Sequence, residues 1–146
     1  MSESNKQILL ASRPAGWVEE ANFKLVETPV PQIADGQVLV RNHFLSLDPY
    51  MRGRMNDAKS YAAPVNLGDV MIGGTAGEVV VSKHPKFAVG DKVVGYLGWQ
   101  LYGVSDGAML MKVDDRLIPL SAYLGSVGMP GVTAWYGLMD ICAPKA

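Results

Sequence analysis

Short apolar runs alternate with turn sequences over about the first four fifths of the chain. Sixteen glycines and nine prolines punctuate it, and apolar runs that recur about every ten residues are typical of an all-β barrel or sandwich. The run VLVRNHFL at 38–45 follows Asp35-Gly36, a pair suited to a tight turn because glycine accepts positive φ. This pattern predicts a turn and then a strand.

Two further runs predict an antiparallel pair of strands. Residues 77–81 (GEVVV) and 92–96 (KVVGY) flank a loop that ends in the turn sequence VGD. Residues 108–113 follow the turn sequence SDG and predict one more strand. We therefore expect a mainly β fold in which neighbouring strands are joined by short turns.

The character of the chain changes near Leu120, where helical patterns begin. Residues 121–124 predict a short helix, and residues 132–141 place apolar side chains at helical spacing. Pro130 precedes this second segment and is tolerated in the first turn of a helix. The sequence thus predicts two short helices after the strands.

Composition and charge exclude several classes of partner. Hydrophobic residues make up 49% of the chain and charged residues 18%, enough for a real core. The formal charge is −1, with 13 basic and 14 acidic residues interleaved, so no basic face is offered to nucleic acid or to anionic lipid. No apolar run approaches the roughly 20 residues that a membrane span needs. One cysteine, Cys142, and an N-terminus unlike a signal peptide favour a cytoplasmic location.

A metal site is not expected from these residues. A catalytic zinc needs three protein ligands and a structural zinc four, but outside its carboxylates the chain has only Cys142, His43 and His84. We expect His43 to lie in a strand and His84 in a loop, both in structural or solvent-exposed roles. Asp114-Asp115 stands beside an arginine in a predicted turn, which favours a solvated surface over an acid–base pair.

Two glycine-rich segments resemble nucleotide cradles only superficially. Residues 125–131 (GSVGMPG) space their glycines as G-x-x-G-x-x-G, whereas a dinucleotide fingerprint needs G-x-G-x-x-G directly after a strand. Residues 73–77 (GGTAG) fail the same test. Close backbone packing is the better interpretation of both. No G-x-S-x-G elbow is present, so hydrolase chemistry has no support.

One segment carries a specific resemblance. Residues 45–55 (LSLDPYMRGRM) resemble the L-S-x-D-P-Y-M-R signature of the prostaglandin, leukotriene and alkenal reductase branch of the medium-chain dehydrogenases/reductases. The likeness continues through 73–80, 87–96 and 128–138 and so covers nearly the whole chain. It implies a co-chaperonin-like (GroES-like) β-barrel on the substrate side at 1–126, then at 127–146 the start of a junction helix and linker to a Rossmann domain that this chain lacks.

The same resemblance implies a zinc-free, NADPH-dependent reduction of the C=C bond of small apolar α,β-unsaturated ketones or aldehydes. Tyr50 would lie at the cleft and donate a hydrogen bond to the substrate carbonyl or help to reprotonate the α-carbon; packing of its ring is the alternative. Arg52 and Tyr61 would shape the substrate mouth, or simply belong to a solvated loop. The cofactor contacts would come from Thr133 and from two residues that precede it in the motif, Met129 and Gly131. The alternative for Thr133 is a hydroxyl that bonds locally within the helix.

Other functions stay open at this point. A quinone reductase of the same superfamily would use the same cofactor, and a non-catalytic co-chaperonin-like binding module would use the barrel alone. If the leading hypothesis holds, this chain by itself lacks most of the NADPH site and should be inactive. The sequence leaves open whether the full-length protein is a homo-oligomer and which enone or enal it reduces.

Overall fold

The computed structural model describes residues 4–145, in which short strands are joined by turns and a few short helices. The strands are β1 (Ser4–Leu10), β2 (Phe23–Pro29), β3 (Val38–Leu45), β4 (Thr75–Ser82), β5 (Lys92–Gly95), β6 (Tyr102–Ser105) and β7 (Met111–Lys112). The α-helices are α1 (Tyr50–Arg54) and α2 (Met129–Tyr136). Short 3₁₀ helices cover Glu20–Asn22 and Leu120–Leu124, and a π-helix covers Gly137–Cys142.

Antiparallel pairing organises the strands. Five of them form one sheet in the order β6-β3-β4-β5-β7, and β1 pairs with β2 in a second, two-stranded sheet. The second sheet is tied to the segment just before β6, because the Ile8 N–H donates to the carbonyl of Trp99 at 2.9 Å. Isolated bridges join Gln7 to Gln100 and Leu9 to Val70. These ties close the strands into a barrel, so the prediction of a mainly β fold is confirmed.

Two apolar clusters fill the interior. One lies on the inner face of the larger sheet and consists of Val38, Val40, Val79, Phe87, Val93 and Leu110. The other lies beneath α1 and consists of Leu10, Met51, Met55, Val65 and Met71. Each fully buried aliphatic side chain stabilises the fold by about 1.5–3 kcal/mol relative to exposure. The second cluster fixes the position of α1 and so of the signature segment.

Several sequence predictions about the elements are confirmed. β3 covers 38–45 as expected, and the β4–β5 pair is antiparallel with the predicted turn between the strands. Gly36 and Gly90 adopt φ of 78° and 92°, the positive values that these turns require. Gly77 allows the backbones of β3 and β4 to approach closely, since a Cβ there would lie 2.2 Å from the carbonyl oxygen of Arg41.

Other elements differ from the predictions. The strand expected at 108–113 shrinks to Met111–Lys112, because Ala108 and Leu110 donate their N–H groups back to Asp106 and Gly107 and extend the turn. Strands β1, β2 and β6 and helix α1 were not predicted.

The C-terminal helices begin earlier than expected. Pro130 stands in the first turn of α2, as predicted, but the helix starts at Met129 and changes to a π-helix at Gly137. Within residues 4–145 no helix is both long and apolar enough to cross a membrane.

Candidate active-site cleft

A cleft of about 230 Å³ opens where the end of β3, the end of β5, β7 and the start of α2 meet. One side of it carries the polar side chains of Ser46 and Asp48. The rest is mostly apolar or aromatic, and the lining is completed by Gly74, Val94, Gly95, Tyr96, Met109, Met111, Tyr123, Leu124, Gly128 and Met129. Such a cavity, apolar with a few polar groups, suits a small organic ligand.

The signature segment builds the polar side. The Ser46 hydroxyl donates to Asp48 Oδ1 at 2.9 Å, while the Ser46 N–H donates to the carbonyl of Gly74 at 2.9 Å. Pro49 follows with helical φ and ψ of −56° and −31°, so the chain turns at once into α1. Met51 and Met55 are four residues apart and both buried, which turns the remaining face of the helix outward.

Tyr50 follows cleft-lining Asp48 by two residues and is half-buried against the cluster beneath α1, but it is not itself among the residues that line the cleft. Burial raises the pKa of its phenol above the ordinary value of 10.0, and the charges of Asp48, Tyr96 and Tyr61 raise it further, against an opposing effect of Arg54. The phenol therefore keeps its proton at neutral pH. It can donate a hydrogen bond to a group that develops negative charge.

Arg52 is occupied by structural contacts. Its guanidinium donates to the carbonyl of Pro14 at 3.1 Å, to that of Gly16 at 2.8 Å and to Asn56 Oδ1 at 2.6 Å. These bonds hold the loop after β1 against α1. Tyr61, by contrast, is 84% exposed in the segment after α1. Neither residue lines the cleft, so a contact with substrate would require the substrate to extend beyond it.

The residues proposed for the cofactor lie along the first turns of α2. Met129 lines the cleft, and the Thr133 hydroxyl donates to the Met129 carbonyl at 2.8 Å. That bond leaves the lone pairs of Thr133 Oγ1 able to accept. Gly131 and Gly128 are packing positions, since a Cβ would lie 1.8 Å from the carbonyl oxygen of Ser126 and 2.1 Å from that of Tyr123, respectively. This turn can contact a ligand at its edge but offers no open phosphate cradle.

Sequence reasoning missed most of the cleft lining. Tyr96, Met109 and Met111 were not singled out, although Met109 and Met111 flank buried Leu110 at strand spacing and so share the opposite face. This alternation of buried and exposed positions was the sequence signal that could have placed both methionines on one surface. Within 4–145 no three His, Cys, Asp or Glu side chains gather closely enough to hold a metal ion.

The chain is similar to known reductases along nearly its whole length. It matches the family model described as the N-terminal domain of oxidoreductase over residues 6–113. It is 51% identical over 143 residues to NADPH-dependent curcumin reductase of Escherichia coli K12, covering 98% of this chain and 41% of the relative. It is 43% identical over 134 residues to prostaglandin reductase 1 of Rattus norvegicus, covering 89% and 38% respectively. It is also 37% identical over 148 residues to the NADP(+)-dependent 2-alkenal reductase of Nicotiana tabacum, covering 97% and 43%.

Solved structures show the same relationship. The crystal structure of CurA from Vibrio vulnificus superimposes with a TM-score of 0.87 at 52% identity, covering 97% of this chain and 42% of that one. The structure of CurA in complex with NADPH gives 0.88 at 50% identity, covering 96% and 42%. The expected GroES-like barrel is thereby confirmed. The chain spans about two fifths of the length of these relatives.

Proposed function

The chain belongs to the family of N-terminal domains of oxidoreductases, and on that premise we propose that it is the substrate-side part of an NADPH-dependent reductase. The substrates we propose are small apolar α,β-unsaturated ketones or aldehydes, whose carbon–carbon double bond is reduced. The names of the relatives from Escherichia coli, Rattus norvegicus and Nicotiana tabacum support the reductase assignment. The polar and apolar sides of the cleft support the choice of substrate.

Tyr50 is the residue that most strongly supports this chemistry. Reduction of an enone adds a hydride to the β-carbon and a proton to the α-carbon, and negative charge builds on the carbonyl oxygen between the two steps. We propose that the protonated phenol of Tyr50, two residues beyond cleft-lining Asp48, donates to that oxygen, and such a donor can be worth about 3 kcal/mol in the transition state. Because the pKa of Tyr50 is raised above 10.0, the donor stays protonated throughout the neutral range.

The cleft lining supplies apolar surface next to its polar groups. Met109, Met111 and Leu124 line the same cavity as Asp48, and a bound substrate would displace water from them. A hydrogen bond from Tyr50 to the substrate is stronger where the local dielectric is low. NADPH supplies the hydride when it is bound. Of the residues in this chain, Met129 and Thr133 could contact its nicotinamide end, since one lines the cleft and the other keeps free lone pairs.

The exposed face of the C-terminal helices supports a two-domain arrangement. Val132, Trp135, Leu138 and Ile141 are 56–70% exposed, an unusual concentration of large apolar side chains on one segment. The relatives are more than twice as long as the chain, so a further domain is available to cover this face. We propose that residues 127–146 form the junction helix and linker to a nucleotide-binding domain.

The test is NADPH oxidation by the two-domain protein, followed by the loss of NADPH absorbance. Enones, enals and quinones are offered separately, each with and without a chelator. Turnover of enones or enals that the chelator does not slow supports the proposal and a zinc-free site. Turnover of quinones alone would indicate a quinone reductase instead, and no turnover at all would favour a binding module. The 146-residue chain alone should oxidise no NADPH.

A further inference from the structure

Tyr96, Met109 and Met111 form one side of the cleft, which we name the outer wall. They line the same cavity and are 60%, 71% and 60% exposed. Large apolar side chains left this open are normally scattered singly over a surface. Here three of them converge on a concave site.

The backbone holds this wall in place. Gly95 ends β5 directly before Tyr96, and a Cβ at Gly95 would lie 2.8 Å from Leu110 Cδ1 and 3.0 Å from the carbonyl oxygen of Met109. The end of β5 therefore lies in direct contact with the segment around Leu110. Pairing of Val94 with Met111 continues that contact into β7. A larger residue at Gly95 would push against these two atoms, and the close approach brings Met109 near Tyr96.

The cleft that the outer wall lines also carries polar side chains. Ser46 and Asp48 line the cavity and are hydrogen-bonded to each other, and Asp48 stands two residues before Tyr50 in the chain. A ligand with a carbonyl at one end and a flat apolar group at the other would match both sides. Thioether sulfur contacts ring edges favourably, and a tyrosine ring packs against another ring offset or edge-on.

Resting on the proposed function, we propose that Tyr96, Met109 and Met111 form a specificity subsite for the aryl group of aryl-conjugated enones. The subsite selects these substrates over enones with short alkyl groups. The selection arises from contacts made by the outer wall and not from the chemistry at Tyr50. Substitutions in the wall should therefore change which substrate is preferred and leave the reduction itself intact.

The kinetic test compares benzylideneacetone with ethyl vinyl ketone in the two-domain protein. Tyr96→Ala should lower kcat/KM for benzylideneacetone about fivefold relative to ethyl vinyl ketone, and Tyr96→Phe should keep the original ratio because the ring remains. The double variant Met109→Ala/Met111→Ala should show a loss of similar size. Leu25→Ala, on an exposed position of β2, is the control and should leave both values unchanged. An unchanged ratio in the Tyr96→Ala and methionine variants would overturn the subsite while leaving the reductase in place.

A binding test on the 146-residue chain separates the subsite from the proposed function. Benzylacetone is the probe, since it lacks the double bond that could react with the exposed thiol of Cys142. With the methionine methyl groups isotope-labelled, its ring should shift the NMR signals of Met109 and Met111 and leave buried Met71 unchanged.

The outcomes of the binding test are also distinct. Met139 lies in the π-helix outside the cleft lining and serves as a second internal control. Tyr96→Ala should weaken benzylacetone binding about fivefold, measured from the Met109 shift. Shifts of Met139 equal to those of Met109, or an unchanged affinity in Tyr96→Ala, would overturn the subsite. Binding at the outer wall without any enone turnover by the two-domain protein would instead refute the proposed function alone.

Discussion

The side chain of Asn5 is hydrogen-bonded twice to the backbone of Tyr102, ninety-seven residues away. Its Nδ2 donates to the Tyr102 carbonyl at 2.9 Å, and the Tyr102 N–H donates to Asn5 Oδ1 at 2.9 Å. Asn5 is fully buried, so the amide takes the place of a strand neighbour for β6. This contact joins the two sheets of the barrel.

Asn5→Ala should therefore destabilise the fold by about 2 kcal/mol or more, because a buried donor and a buried acceptor of Tyr102 lose their partner. The free energy of unfolding is measured by urea titration of the chain. Ser4→Ala is the neighbouring control, since the bond from the Ser4 hydroxyl to Glu27 is exposed and its loss should cost less than about 0.5 kcal/mol. Equal effects of the two substitutions would contradict the role given to Asn5.

Gly77→Ala should destabilise the larger sheet by about 1–3 kcal/mol, since a Cβ at Gly77 would collide with the carbonyl of Arg41 on β3. Gly53→Ala is the matched change, because a Cβ at Gly53 meets no atom within 4 Å and lies in α1. Alanine there should stabilise by up to about 1 kcal/mol. Thermal unfolding of both variants measures the difference, and a neutral Gly77→Ala would refute the close approach of β3 and β4.

Acid should weaken the fold through two carboxylates. The hydrogen bond from Lys92 lowers the pKa of Glu78 below its ordinary 4.5, and the bond from Lys112 followed by that of the Ala88 N–H lowers the pKa of Asp91 below 3.8. Both groups bind protons more readily in the unfolded chain. Their stabilisation is therefore complete above pH 4.5 and is lost as the pH falls through the lowered folded-state values.

Urea titrations across the acid range test this dependence. The double variant Glu78→Gln/Asp91→Asn should be less stable at neutral pH and should lose less stability on acidification than the original chain. Asp35→Asn serves as the control, since that side chain is fully exposed and 3.9 Å from its partner Lys83. If stability fell equally with acid in the double variant and in the original chain, groups other than Glu78 and Asp91 would control the acid dependence.

Tyr50→Phe in the two-domain protein should lower kcat for enones about tenfold or more, equivalent to about 1.4 kcal/mol of lost transition-state stabilisation. The ring is retained, so the thermal midpoint serves as a check that packing is intact. Because the pKa of Tyr50 is raised, kcat should show no loss from phenol ionisation until the pH exceeds 10.0. An unchanged kcat would remove Tyr50 from the mechanism.

The predictability of each element follows from where its partners lie in the sequence. β3 and the β4–β5 pair could be predicted because they combine apolar runs with local glycine turns. β1 was missed because its fully buried Asn5 is polar and its partner at Tyr102 is remote. A buried amide disrupts the hydrophobic alternation on which strand prediction depends.

The cleft was predictable only in part, for a related reason. The signature segment, which is continuous in sequence, supplies Ser46 and Asp48 of the lining, and the role of Tyr50 in that segment stays a prediction. Tyr96 and Met109 come from separate turns and meet the segment around Asp48 only after the sheet has formed. The alternation about buried Leu110 places Met109 and Met111 on an exposed face, but it does not distinguish a subsite from an ordinary surface.

The long sequence separation between β1 and its partners before and in β6 also affects when β1 can complete its contacts during synthesis on the ribosome. β1 leaves the exit tunnel before the other described strands, yet the residues with which it bonds, Trp99 to Tyr102, are translated more than ninety positions later. At about 5–20 residues per second this leaves the nascent strand without its final neighbours for roughly 5–20 s. During that interval β1 can pair with β2 and pack Leu10 against the cluster beneath α1, but its contacts with Trp99 and Tyr102 form only as β6 emerges.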